Sequence, residues 1–231
     1  MGMKDIQDTR LNNFLLSCIP MPEEILTREI FEPHKLVVLP RYMRILGTMC
    51  DYGVRARNQY RDFGFVRKGL DEGKYKEDTC LVEMLIEASS LSATEAYLMV
   101  TRKYPTHLAD AFYSDYNLLT ERAISMYRIM GAINGIYGAS FRLEEPIGKV
   151  ECDCMYRNGI ADMKISRTIS YNKEYWVQLM LYSFVAKSKD GQDRRNLCLL
   201  YPVQGVLKYF NYPEAQYRIL FDVFEEVRRC I

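Results

Sequence analysis

Hydrophobic and polar positions change rhythm near residue 138. Before it, apolar residues recur at helical spacing. The pattern predicts helices from Arg41 to about Phe65, interrupted at Gly47, Gly53 and Gly64, then over Thr79–Ala88, Ser92–Lys103 and His107–Met130. Ser92 followed by Glu95 is a capping-box pair, and Pro105 closes that helix. Residues 69–76 read as a loop. In residues 1–35, Pro20, Pro22 and Pro33 break any long element, which leaves short helical turns and a loop, with a short strand over Leu36–Leu39. After residue 138 short apolar runs take over. Ser140–Leu143, Val150–Tyr156, Ile160–Ile165, Leu197–Pro202 and Val206–Phe210 read as strands, and Asn172–Ala186 and Pro213–Arg229 as helices. The expectation is one domain over residues 1–231, with a mainly helical part at 1–138 and a hairpin and helix core at 139–231.

The stretch VECDCMYRNGIADMKIS, residues 150–166, reads as a β-hairpin around Asn158-Gly159, a pair that tolerates the positive φ of a type I′ turn. With Arg157 opposite Ile160, Met155 would face Asp162, Asp153 would face Lys164, and Glu151 would face Ser166. Alternation then collects Glu151, Asp153, Asp162 and Lys164 on one face and most of the apolar residues on the other. Such a face is either a solvated sheet surface or a metal site.

Composition narrows the setting. Hydrophobic content of 48% and charged content of 26% are ordinary for a globular protein. No apolar run reaches the roughly 18 residues of a membrane span, and MGMKDIQDTR lacks a signal-peptide core, so an intracellular location without membrane contact is expected. The seven cysteines are scattered and odd in number, which suits reduced thiols. A net charge of +1 means that nucleic-acid affinity has to be local. Arg41, Arg44, Arg55, Arg57 and Arg61, interleaved with Tyr42, Tyr52 and Tyr60, supply one candidate surface; a solvated helical face is the plain alternative. Lys187, Lys189, Arg194 and Arg195 around Gly191 read as a surface loop, His34 and His107 as ordinary surface or helix-start residues, and Trp176 as core.

Clustered carboxylates raise one another's pKa unless a cation sits among them. Mg2+ or Mn2+ suits such hard oxygen donors, and a lysine beside them can steer or deprotonate water, a combination that serves phosphodiester hydrolysis. The following helix adds Gln178 and Tyr182 at i and i+4. Gly148-Lys149-Val150-Glu151, then Asp162-Met163-Lys164, then Gln178 with Tyr182 resemble in order the G-x-[IV]-D, [DE]-x-K and Q-x-x-x-Y motifs of the PD-(D/E)XK nuclease superfamily, in its RecB- and lambda-exonuclease-like branch. The resemblance covers residues 145–185 and departs from the pattern in having Glu151 for Asp.

It implies an α/β (α+β) chain with a restriction-endonuclease-like core, a central mixed sheet flanked by helices. It also implies an Mg2+- or Mn2+-dependent nuclease acting on DNA, exonuclease-like, in replication, recombination or repair. The metal ligands it implies are Glu151 or Asp153, Asp162 and a helical Glu121, with the Met163 carbonyl as a further donor. Lys164 would position water, Gln178 would support Lys164 or the phosphate, and Tyr182 would stack on a base or orient Gln178. The competing readings are a cap-snatching-type RNA endonuclease and a catalytically inactive nucleic-acid-binding protein of the same fold.

Overall fold

The computed structural model describes residues 15–22, 25–37, 43–58, 106–142, 149–170 and 172–230. Its elements are β1 (Leu26–Glu29), α1 (Met43–Asn58), α2 (Thr106–Ile129), β2 (Ile136–Arg142), β3 (Lys149–Tyr156), β4 (Gly159–Met163), α3 (Lys173–Asp190), β5 (Asn196–Tyr201), β6 (Val206–Asn211) and α4 (Glu214–Cys230). The strands form one sheet in the order β1-β6-β5-β4-β3-β2. Only the β4–β5 pair is parallel, because α3 carries the chain back between them; the other pairs are antiparallel. The chain is thus α+β, with a mixed open sheet between helices. The helices expected at 79–88 and 92–103, the loop at 69–76, Arg41 and Arg61 lie outside the described residues. Leu36 and Val37 are not in a strand. The N-terminal edge strand is β1 instead, in a segment whose alternation gave no signal.

Two apolar layers hold the sheet. On one face α1 and α2 bring Leu46, Met49, Leu119 and Met126 against Cys154, Ala161, Met163 and Leu200. On the other, α3 covers Val150, Cys152, Ile160, Leu197 and Leu199. Every position of β4 is buried, so the strand lies between covered faces. Residues Trp176 to Ala186 of α3 are also buried without a break. A helix apolar all round needs cover on both sides, and α4 supplies the outer one: Phe184 of α3 meets Tyr217 and Phe224 at ring-centroid distances of 5.4 Å each.

Capping fixes where α3 begins and ends. Asn172 accepts the Glu174 backbone N–H at 2.9 Å, and Gly191, at φ 74°, turns its own N–H onto the Lys187 carbonyl. Asn172→Ala is expected to cost about 1 kcal/mol in urea unfolding; an unchanged midpoint would show that this cap does not set the start of α3. The loop after Gly191 is less exposed than its charges suggested. Arg194 is 4% exposed because its guanidinium turns back onto Asp190 at 2.6 Å while its carbonyl accepts from Ser183. Among the described residues no helix is long and apolar enough to cross a membrane.

Candidate active site

The hairpin between β3 and β4 forms, in a different register from the expected one. Tyr156 pairs with Gly159, Met155 with Ile160 and Cys154 with Ala161, so the two turn residues are Arg157 and Asn158. Gly159 is needed for another reason than turn geometry. A Cβ there would run into the Asn196 carbonyl on β5 and the Tyr156 hydroxyl. The expected segregation of charged and apolar residues by face is corrected as well. Cys154, Ala161 and Met163 pack toward α1 and α2, whereas Val150, Cys152, Met155 and Ile160 pack toward α3.

The recorded β3–β4 ladder ends at Cys154 and Ala161. Just beyond it, the Asp153 carboxylate accepts the Met163 backbone N–H at 2.7 Å. A side chain has replaced a strand partner, and the charged groups gather in the opening. Two clusters meet there. On the α3 side, Lys164 Nζ lies 2.5 Å from Asp162 Oδ2, donates to Gln178 Oε1 at 3.2 Å and sits 4.3 Å above the Tyr175 ring. The Gln178 amide in turn donates to the Tyr182 hydroxyl at 2.5 Å. On the α1 side, Arg55 donates to Asp51 Oδ1 at 3.0 Å and to Glu151 Oε1 at 2.5 Å.

A local departure in β2 makes room for Arg55. Gly138 adopts φ +63°, and a Cβ on it would strike the guanidinium. The β2–β3 register records Tyr137 with Cys154 and Ala139 with Cys152 but no pair at Gly138, so the irregularity faces Asp153. Left-handed backbone is open to glycine at little cost. The bare position in β2 is therefore what lets an arginine from α1 reach across to Glu151.

Burial sets the electrostatics. Asp153 is pushed well above its ordinary range first by burial, then by the Asp162 and Asp51 charges, with Arg55 and the Met163 N–H opposing. Burial would lower the Lys164 pKa, but Asp162 and Asp153 outweigh it and hold the ammonium protonated. For Arg55, burial is likewise outweighed by Asp51, Asp153 and Glu151.

Asp51 rises from 3.8 to about 6, mainly through burial, with Glu151 and Asp162 adding and Arg55 opposing. A raised carboxyl pKa means that the folded state binds the proton more tightly than the unfolded one. The Asp51 contribution is therefore most favourable below pH 3.8 and is lost as pH rises through about 6. The metal-free protein is expected to melt at a higher temperature near pH 5 than near pH 7, and Asp51→Asn should flatten that slope. Equal slopes for the two proteins in thermal melts would refute this.

Among the described residues no group of three or more His, Cys, Asp or Glu side chains is disposed around a common metal position. Asp153 and Asp162 nevertheless fit a hard divalent cation bound through two carboxylates and water. Asp162 is buried and Asp153 partly so, and the Asp162 charge helps to raise the Asp153 pKa. Asp162 Oδ2 is held in a 2.5 Å ion pair with Lys164, the charge a bound cation would sit beside.

The structure brings Asp153, Asp162, Lys164, Gln178 and Tyr182 together. It gives Glu151 to Arg55, so Asp153 is the carboxylate beside Asp162. Glu121 is exposed on α2, next to Arg122, whose guanidinium donates to the Glu32 and Pro202 carbonyls. The acidic helical residue that enters the opening is Asp51. Tyr182 is 5% exposed, so it orients Gln178 and has no free ring for a base. Arg55 faces the interior and is not part of a surface grip; the Arg44 and Arg57 side chains lie outside the described set.

Asp51 and Tyr175 escaped the sequence reading, and Arg55 was placed on a nucleic-acid-binding surface instead of in this cluster. Asp51 and Arg55 stand at i and i+4, a spacing that also marks a solvated helix face, and Tyr175 carried no signal at all. His34 has a structural task, since it meets buried Asp115 at 2.7 Å and Asp115 also accepts the Val37 N–H at 2.9 Å. Comparisons with family models, with curated proteins and with solved structures found no match to this chain.

Proposed function

We propose that the protein is a metal-dependent nuclease that hydrolyses phosphodiester bonds of DNA. The observation that carries the reading is the run from Tyr182 through Gln178 to Lys164 and Asp162, ending beside Asp153 where β3 and β4 part. A purely structural ion pair does not need a buried amide and hydroxyl to orient it. Bare charged strands do not need an opening either.

Asp153 and Asp162 would hold Mg2+ or Mn2+, which when bound polarises the phosphate and lowers the pKa of a coordinated water. The chain's own residues do the rest. Tyr182 fixes the amide of Gln178, so that Oε1 faces Lys164. Gln178, Asp162 and the Tyr175 ring then hold the ammonium in one place. A fixed ammonium can orient a water and offset negative charge that builds on the phosphate oxygens, with no reorganisation during the reaction. The choice of DNA rests on the motif resemblance, and the grip on a strand would come from Arg41, Arg44, Arg57 and Arg61, without Arg55.

The test is incubation of end-labelled single- and double-stranded DNA and single-stranded RNA with the protein and Mg2+ or Mn2+. Metal-dependent loss of DNA in the wild type and its absence in Asp162→Ala supports the proposal. Wild-type protein as inactive as Asp162→Ala on every substrate overturns it, and cleavage confined to RNA replaces it with the RNA endonuclease reading.

A further inference from the structure

The geometry points to Arg55 as a resident cation of the carboxylate cluster: its guanidinium holds the place beside Asp51 and Glu151, so the site takes one divalent cation, on Asp153 and Asp162. This rests on the nuclease reading and adds to it a stoichiometry and a role for a residue that no motif contains.

Four carboxylates, Asp51, Glu151, Asp153 and Asp162, lie near enough to the parting of β3 and β4 to act on one another's charge. Their partners divide them. Asp51 receives Arg55 through both of its oxygens, and Glu151 Oε1 receives Arg55 Nη1 at 2.5 Å. Asp153 spends one oxygen on the Met163 N–H, and Asp162 Oδ2 is ion-paired with Lys164. Arg55 sits between the carboxylates of the first pair and fills the space an ion would need, whereas in the second pair Lys164 contacts Asp162 and the contact given for the Asp153 carboxylate is a backbone N–H.

Arg55 is not a surface side chain that has folded inward for want of anything better. It is 9% exposed, it comes from the helix packed on that face of the sheet, and β2 is built around it, with Gly138 in the left-handed region and no space for a Cβ. A guanidinium never loses its charge at working pH and presents a planar set of donors that a hydrated ion does not. It therefore keeps one permanent positive charge between Glu151 and Asp51. A second divalent ion beside Glu151 would have to displace it from a slot shaped for it.

Isothermal titration of the metal-free full chain with Mn2+, paired with electron paramagnetic resonance of the bound ion, tests this without reference to turnover. One ion per chain is expected, with no coupled pair in the spectrum. Two ions per chain in the wild type overturn the inference and leave the nuclease reading standing. No bound ion overturns both. Arg55→Met should uncover Glu151 and Asp51 and raise the count to two, and Arg55→Met with Glu151→Gln should return it to one; an unchanged count in folded Arg55→Met counts against the inference.

Should Arg55→Met not fold, Glu151→Gln decides alone. It is expected to keep the wild-type Mn2+ affinity within about twofold, whereas loss of a true ligand commonly costs tenfold or more. Asp153→Asn provides that larger loss for comparison. A tenfold weaker Mn2+ site in Glu151→Gln would make Glu151 a ligand and overturn the inference.

Discussion

Lys164→Met is expected to lower metal-dependent cleavage of DNA by about 100-fold or more while the protein still binds Mn2+. Methionine keeps the aliphatic stem between Asp162 and Tyr175 and removes only the ammonium. That ammonium contacts a candidate ligand carboxylate, an oriented amide and an aromatic face at once. Its loss leaves Asp162 buried without its counter-ion, so some stability goes as well, on the order of a few kcal/mol. Added Mn2+ should restore much of it, since a divalent cation can replace the missing charge. Cleavage rates measured at saturating Mn2+, together with circular dichroism of the same samples, separate the two effects. A folded Lys164→Met protein that cleaves within about threefold of the wild type would remove Lys164 from the chemistry.

The largest effect on stability is expected at Phe184, far from that chemistry. Its ring is fully buried and lies 5.4 Å from Tyr217, 5.7 Å from Phe221 and 5.4 Å from Phe224, joining the inner helix to the outer one. Phe184→Ala should cost about 3–5 kcal/mol, because the rings around it are held by two helices and cannot collapse into the gap. Ile219→Ala, at a residue 64% exposed on the same outer helix, should stay within about 0.5 kcal/mol. Urea unfolding measures both. A loss below about 1 kcal/mol for Phe184→Ala would mean that α4 is a loose cover and not part of the core.

Most of the strands and helices after residue 138 were legible from the sequence, and the reasons are local. Asn172 and Gly191 bracket α3, Pro213 stands just before α4, and the apolar runs of β5 and β6 are short and bounded by turn residues. The hairpin was legible as a hairpin but not in register. Two successive pairs, Arg157-Asn158 and Asn158-Gly159, could each make a two-residue turn. What decides between them is the closeness of Gly159 to Asn196, some forty positions away in the chain.

The face assignment failed for a related reason. Alternation reports which side is wet, and both faces of this sheet are covered, so β4 is buried at every position. The candidate site was legible as far as a motif could carry it, through Asp162, Lys164, Gln178 and Tyr182. Asp51 and Arg55 were not, because their spacing matches that of any charged helix surface until one knows that α1 lies against the sheet. The short strand Leu26–Glu29 was not legible either, being exposed along its whole length with no alternation to betray it.

That strand closes the sheet at the far edge from the hairpin. Leu26 pairs with Tyr209 and Glu29 with Val206, and the Ile30 and Phe31 N–H groups continue onto the Gly205 carbonyl. Among the described strands, the first in chain order is thus joined to the last, about 180 residues later. Pairing over so long a span is slow to form, since the closure entropy precedes any gain from contact. Until β6 has been made, the nascent segment has no partner of its own; until β1 docks, β6 offers an open edge on which another chain could add. Four exposed residues, LTRE, ending in a charge of each sign, are a poor template for strangers and sufficient for this one partner.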